Sequence, residues 1–557
     1  MSVATAQAAH VRKPDAGVKE TIESILIAFI LAFIFRCFVV EAFVIPTGSM
    51  APTLMGAHLQ FRCPDCGYRF AAGYPDQDDN FSVPERANKT YGVFCPNCGL
   101  RVSRRLPDDA ENDAETPIIR YGDRILVMKY LYLLHPAQRW DVVVFKTPDN
   151  RGSPGDFSVN YIKRLIGRPG ERLFVAEGDV FVSPDTGQAP KETDFIVQTK
   201  PRPAQDALWR IVYDADYVPV GLPRTYQASS GADFADPVWK QPWQAPAGSG
   251  WINNDQSKGV SARSFVFDNR AGNGALTFNR DAIPNTAPLT DWLAYDQTSE
   301  QRITEHDSLD RPSYATQRGI VKNVADLKLS ATVDRFAGEG HLSLVVGKTD
   351  DAEFAAEVTE TTVRLIKRLP SSSRTIGEIA RPSGRFTLAI QNVDYRVVLS
   401  IDGHERLATT TADYSPDVTA IVRRARERTG GPAGYCRIEA DHCTTALSHL
   451  QLWRDVYYRD SDRDVIRGIA HDFPEKIVTL GADEYFTMGD NSYQSSDGRY
   501  WTSVVDLPDE GLKAEAGIVP GRFMLGKAFF VYWPAGFRAY SGTPPLVPNF
   551  GEMRFIR

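Results

Sequence analysis

The chain has no excess of positive charge: 63 lysines and arginines stand against 70 aspartates and glutamates, a net charge of −7. Nucleic-acid binders need a basic face to displace counterions, so that class of function is set aside. The run RVSRRL (101–106) is followed at once by PDDAENDAE, which reads as a solvated linker with blocks of opposite sign. Histidine is scarce, nine in 557 residues, and none is placed to serve the serine discussed below. Uninterrupted apolar runs are also short. Ser24 to Phe35 (SILIAFILAFIF) carries no charge, but Arg36 then intervenes, and about 20 residues are needed to span a hydrocarbon core. No small-x-small site follows the run, which weighs against a cleaved leader.

What is present points to a folded, multi-unit chain. Hydrophobic content of 43% and charged content of 24% suit globular material, and 557 residues exceed one core, so two to four units are expected. Extended over 18–40, with Glu20, Glu23 and Arg36 near the two interfaces, the apolar segment reads as a transmembrane anchor rather than a buried core helix. His10, Arg12, Lys13 and Lys19 precede it, so residues 1–17 are expected in the cytoplasm and everything after residue 41 outside. Beyond it the texture is mainly β. GDRILVMKYLY, WDVVVFKTP, NYIKRLIGRPGERLFV and RFMLGKAFFVYWP read as strands with Gly and Pro at the turns. Val142 to Phe145 suits a strand covered on both faces. Residues 183–462 form a large insertion. Its part 183–239 is rich in proline and aromatics, with ALWRIVYD as a short helix. Its part 240–462 has many short strand-sized runs, as a β-sandwich would. Asp402-Gly403, between VVLSI and HERLAT, marks a hairpin.

The seven cysteines fall as Cys37, Cys63/Cys66, Cys95/Cys98 and Cys436/Cys443. The turns CPDCG and CPNCG suit a zinc ribbon over 63–105, with Cys63, Cys66, Cys95 and Cys98 as four thiolate ligands of one structural Zn2+. Two disulfides are the rival, allowed in an oxidising compartment. Four thiolates leave no open coordination site, so the ribbon staples structure or meets a partner and supplies no catalytic cofactor. Cys436 and Cys443 are expected to form a disulfide, with two buried thiols as the alternative, and Cys37 lies inert in the anchor.

In EAFVIPTGSMAPTL an apolar run stops at Pro46 and releases Ser49 between a glycine and a methionine. With no histidine at hand, a lysine can take the serine proton if it is kept neutral. Its ordinary pKa near 10.4 must then fall to roughly 7–8, through desolvation or a neighbouring cation. Lys163 in NYIKRLIG, among Tyr161, Ile162, Leu165 and Ile166, is the candidate. Together these segments resemble bacterial type I signal peptidases, serine–lysine endopeptidases. FVIPTGSMAPTL is similar to that family's nucleophile box, GDRILVMKY and WDVVVFKTP to its next strands, YIKRLIGRPGE to its lysine box, and GDNSYQSSDGRYW to its late box. The resemblance covers about 17–62, 117–182 and 463–557, the catalytic unit being split over 41–62, 106–182 and 463–557.

The resemblance implies a β catalytic domain after one N-terminal transmembrane helix, on the outer, periplasmic side of the inner (plasma) membrane. Ser49 would be the nucleophile and Lys163 the general base, with the Ser49 N–H and the Thr47 hydroxyl as oxyanion donors. Ser495 would orient the lysine amine, Asp497 and Arg499 would brace its loop, and Asp490 and Asn491 would serve the same loop. Phe43, Ile45, Met50, Leu54, Tyr161 and Ile162 would line small pockets, giving cleavage of exported precursors after small-x-small ends. For these six, core packing is the competing reading. Two departures stand out. Gly56-Ala57-His58 replaces the usual Gly-Asp after the nucleophile box, with Gly122-Asp123 resuming that turn, and Ser492, Tyr493, Gln494 and Gly498 replace more typical late-box residues. The insertion resembles concanavalin-like or laminin-G-like jelly rolls, whose ligand would be a glycan or a protein. Two further functions remain open: a same-clan protease dedicated to one exported substrate, and an inactive zinc- and glycan-binding scaffold.

Overall fold

A computed structural model describes residues 17–74, 92–102, 119–149, 157, 159–222, 224–227, 233–235, 237–253, 263–298, 321–427, 429–460, 477–536, 547 and 549–557. Residues 1–16, including the cations His10, Arg12 and Lys13, lie outside them. The architecture is mainly β, in three principal sheets with a small ribbon.

The N-terminal apolar segment forms a helix, Val18–Phe38, of 21 residues. Glu20, Glu23 and Arg36 confine its uncharged stretch to Ser24–Phe35, only about 18 Å of helix against the ~30 Å of a hydrocarbon core. Among the described residues no helix is long and apolar enough to cross a membrane. The anchor expected over 18–40 therefore has no counterpart among the helices as a full span. The helix nevertheless leaves Ile22, Phe29 and Phe33 60–71% exposed.

The sheet that positions the candidate site runs in the order Val40–Val44, Arg124–Met128, Met524–Trp533, Val142–Lys146, Asn160–Gly167, Glu484–Met488, Val519–Pro520, with Arg554–Phe555 beside Met524–Trp533. Alternation along Val142–Phe145 explains why this run is apolar throughout. Val142 and Val144 pack with Met50, Leu54 and Ile125, whereas Val143 and Phe145 pack with Leu165, Met488 and Trp501. A strand covered on both faces has no polar side to present.

The inserted region carries a twelve-stranded sheet built on two long strands, Leu327–Thr349 and Tyr435–Arg454, paired along most of their length. One half of Leu327–Thr349 also pairs with Phe386–Val393 and the other half with Ala352–Val358. The hydrogen bonds thus make one branched sheet, its two long strands shared between two sets of neighbours. Asp402-Gly403 does turn a hairpin, with Ile401 opposite His404 and both turn residues at positive φ. ALWRIVYD divides instead of forming one helix: Arg202–Leu208 is helical and Arg210–Asp214 is a strand. Cys436 and Cys443 are free and buried. Seven steps apart on one strand, their Cα atoms are about 23 Å distant, beyond the reach of a disulfide. The expected Cys436–Cys443 bond is absent.

Between the insertion and the catalytic strands lies a fully buried ionic chain. The Lys348 ammonium sits 2.6 Å from Asp179 and 2.6 Å from Asp326, and Lys200 sits 2.5 Å from Asp394 and 2.7 Å from Asp455. Asp179 belongs to the strand Asp179–Pro184, and Lys348 to the longest strand of the insertion. Lys348→Met leaves two buried carboxylates unpaired, and should cost about 3–5 kcal/mol in denaturant-induced unfolding.

Candidate active site

The nucleophile loop follows directly from the edge strand Val40–Val44. Pro46 ends the strand direction, and Gly48–Met50 makes a single 3-10 turn after extended Thr47. Asp123 holds both ends of the loop: its carbonyl accepts from Ile45 N at 2.8 Å, its N–H donates to Met55 O at 2.8 Å, and its carboxylate accepts from Met55 N at 3.1 Å. Gly122-Asp123 thus stands where the chain returns from the ribbon.

Lys163 lies on Asn160–Gly167, opposite Val143. Its Nζ donates to Ser49 Oγ at 2.8 Å and to Ile162 O at 3.1 Å, and lies 5.2 Å from the centre of the Tyr161 ring. Both dyad side chains are buried, Ser49 at 9% and Lys163 at 4% exposure. Burial pushes the Lys163 amine down to about 8. Asp497 and Asp490 oppose that shift, and the Arg499 guanidinium adds to it. A serine hydroxyl in hydrogen-bond contact with an amine that gives up its proton near pH 8 can perform nucleophilic and general-base chemistry.

The neighbouring charges are paired. Arg164, pointing away from Lys163 on the same strand, forms a bidentate pair with Asp490 at 2.7 Å for each bond. Arg499 grips Asp497 at 2.7 and 2.8 Å, and the Gly489 N–H donates to Asp497 at 2.9 Å. Burial alone would raise both carboxyls, but these partners hold each below its usual range.

The other residues singled out in the sequence divide. Thr47 is exposed, two residues before Ser49, and its side chain makes no cap hydrogen bond. Phe43, Tyr161 and Ile162 are half-buried and keep some exposed surface. Ile45, Met50 and Leu54 are 0–2% exposed and pack with Ile125, Val142 and Val144; these three are core here and offer no surface to a ligand. Ser495 is buried, and its hydroxyl helps to hold the Asp497 carboxyl down. The expected bond to the Lys163 amine is not formed, and Ile162 O takes that place. Ser495 does lie close by, since a Cβ on Gly489 would meet both Ser495 Oγ and Ser49 O.

Residues that local reading could not find come from the insertion. Tyr295 packs on Gly48, and Asp296 accepts from Asn491 Nδ2 at 2.7 Å. Burial pushes Asp296 up to about 7, with Asn491 and Arg459 acting against it. Arg459 stacks on Tyr493 at 4.5 Å, and its N–H donates to Ser492 Oγ at 2.8 Å. Two of the unusual late-box residues thus serve as seats for the insertion.

Cys63, Cys66, Cys95 and Cys98 converge, with Sγ–Sγ distances of 3.6 Å for Cys63–Cys98 and for Cys66–Cys95, and all four sulfurs within 4.8 Å of one another. A tetrahedron of Zn–S bonds near 2.3 Å has edges of about 3.8 Å, so the donor set fits zinc. The separations are too long for disulfides. Gly67 and Gly99 end the two turns at positive φ, each donating its N–H to the carbonyl of the first cysteine at 2.8 Å.

Three segments, 18–63, 109–259 and 453–533, match the family described as signal peptidase, peptidase S26. They make up just under half of the chain and contain Ser49, Lys163 and the late box. A probable signal peptidase I-1 of Synechocystis sp. is 37% identical over 88 residues, covering 16% of this chain and 43% of that protein. Signal peptidase I of Rickettsia typhi is 25% identical over 171 residues (31% and 46%), and that of Pseudomonas aeruginosa 43% identical over 87 residues (15% and 26%). The chain thus aligns with less than half the length of these curated relatives. Among solved structures, the carbohydrate-binding module CBM66 from Bacillus subtilis aligns with 38% of this chain and 95% of its own at 8% identity, but its TM-score of 0.22 carries no argument.

Leu54→Ala should reduce stability by about 2–5 kcal/mol, as expected of a core side chain, in denaturant-induced unfolding. Denaturing the purified protein with a thiol-reactive dye present should release about one zinc per chain, read by a zinc-sensitive chromophore.

Proposed function

We propose that this chain is a signal peptidase that removes N-terminal signal peptides from exported precursors after small-x-small ends. The observation that carries the reading is the 2.8 Å contact between a buried, pKa-depressed lysine amine and the Ser49 hydroxyl. Ser49 Oγ attacks the scissile carbonyl carbon as its proton passes to neutral Lys163. The resulting ammonium then protonates the departing amine as the C–N bond breaks. Water, deprotonated by the same lysine, releases the acyl group from Ser49. The Ser49 N–H and the Thr47 hydroxyl meet the oxyanion, each such donor being worth a few kcal/mol in the transition state. Asp497 with Arg499 and Asp490 with Arg164 fix the late box against the lysine strand.

Two open strand edges support binding of an extended precursor. Val40–Val44 ends its sheet, pairing only with Arg124–Met128 among the described residues. Asn160 to Ile162 pair with Val142–Lys146 on one side, while Glu484–Met488 covers only 164–167 on the other. Strand addition there leaves Phe43, Tyr161 and Ile162 to shape small pockets. The exposed apolar side chains of Val18–Phe38 support association of the enzyme with the inner membrane. The four-cysteine site supplies structural zinc and takes no part in the chemistry.

Ser49→Ala and Lys163→Ala should each lower cleavage of a precursor peptide by at least about a thousandfold with the fold retained. Full cleavage in either variant overturns the dyad. Only neutral Lys163 accepts a proton, so the rate should rise about tenfold per pH unit below pH 8 and level off above it, read from single-turnover rates between pH 6 and 10. Mass mapping across a panel of precursors separates general processing, with many cut, from a protease dedicated to one substrate.

A further inference from the structure

The inserted region does not merely hang from the catalytic sheet. Its short turn Ala294–Asp296 enters the nucleophile loop from beneath. Tyr295, 7% exposed, lies so close that a Cβ on Gly48 would stand 2.3 Å from its ring and one on Gly73 2.8 Å. Gly48, the residue just before the nucleophile, thus gives this ring its seat. Asp296, 4% exposed, accepts from Asn491 Nδ2 at 2.7 Å, and that amide also donates to Gly48 O at 3.3 Å. The Asn491 N–H donates to Ser49 O at 3.1 Å. One asparagine therefore holds the carbonyls on both sides of the Ser49 Cα, and Asp296 fixes its amide orientation.

The far side of the turn is fastened to the ribbon. Gln297 accepts from Phe94 N at 2.7 Å and donates to Phe94 O at 3.1 Å, and the Thr298 hydroxyl donates to Gly73 O. The turn is consequently held between the nucleophile loop and the ribbon.

We propose that Asp296 is a positioning residue for the nucleophile. By orienting the Asn491 amide onto Gly48 O, it sets the Gly48–Ser49 peptide plane, and with it the direction of the Ser49 N–H toward the oxyanion. The inference rests on the peptidase reading for its effect on rate, but its structural half stands on the contacts alone. A carboxylate acts here only as an acceptor, so an asparagine in its place retains the function through Oδ1. Alanine or leucine abolishes it.

The test compares Asp296→Ala, near-isosteric Asp296→Leu and Asp296→Asn in the full chain. Either acceptor-free variant that folds carries the test. Hydrogen exchange of peptides covering 46–54 should speed up about tenfold in the acceptor-free variants and stay within twofold of the parent in Asp296→Asn. Single-turnover processing should fall about tenfold or more in kcat, with KM within twofold and the pH midpoint near 8 unmoved. Unchanged exchange over 46–54 in a folded acceptor-free variant overturns the proposal, as does an Asp296→Asn variant as impaired as Asp296→Ala. If exchange responds as expected but Ser49→Ala still cleaves, the peptidase reading has failed while the positioning role stands.

Discussion

A lysine amine deprived of water is the condition on which the candidate site depends. In solvent the group is charged and cannot accept a proton, and among the described residues it is the side chain in hydrogen-bond contact with Ser49 Oγ. The fold removes water by placing Lys163 in the middle of a sheet whose strands are apolar on both faces. The charges nearest to it are balanced within their own pairs, Asp490 by Arg164 and Asp497 by Arg499. Had either carboxylate lacked its arginine, its field would favour the ammonium and defeat the desolvation. The ion pairs therefore protect the lysine's state as well as bracing their loop.

The parts of this arrangement that are local in sequence could be read from sequence. Ser49 after PTG and Lys163 amid Tyr161, Ile162, Leu165 and Ile166 each sit in a pattern whose chemistry is contained within a few residues. The continuous apolar run Val142–Phe145 signals a doubly covered strand, and the two CPxCG turns signal a four-sulfur cluster. Tyr295 and Asp296 carry no such signal. They reach Gly48 and Asn491 across about two hundred residues or more on either side, and only the tertiary fold brings them together. Met50 and Leu54 are ambiguous for a different reason: beside a nucleophile, an apolar residue can face a ligand or the core, and no periodicity distinguishes the two in so short a loop.

The sequence misled where spacing was taken for proximity. Cys436 and Cys443 are close in number, yet an extended strand carries them apart. ALWRIVYD has helical composition in its first half and strand composition in its second, and the chain follows both. The late-box departures have the opposite lesson. Ser492 and Tyr493 look like erosion of a motif, but each contacts Arg459, at the point where the insertion rejoins the catalytic strands.

Asp123 N donates to Met55 O, so the ribbon leaves and re-enters the catalytic unit at a single backbone pair. A loop clamped at its neck confines its own disturbance. Because closure entropy grows only logarithmically with length, lengthening the excursion costs the parent sheet almost nothing. Such a neck is a natural port for added modules: what is plugged in can grow or change chemistry while the strands beneath keep their register.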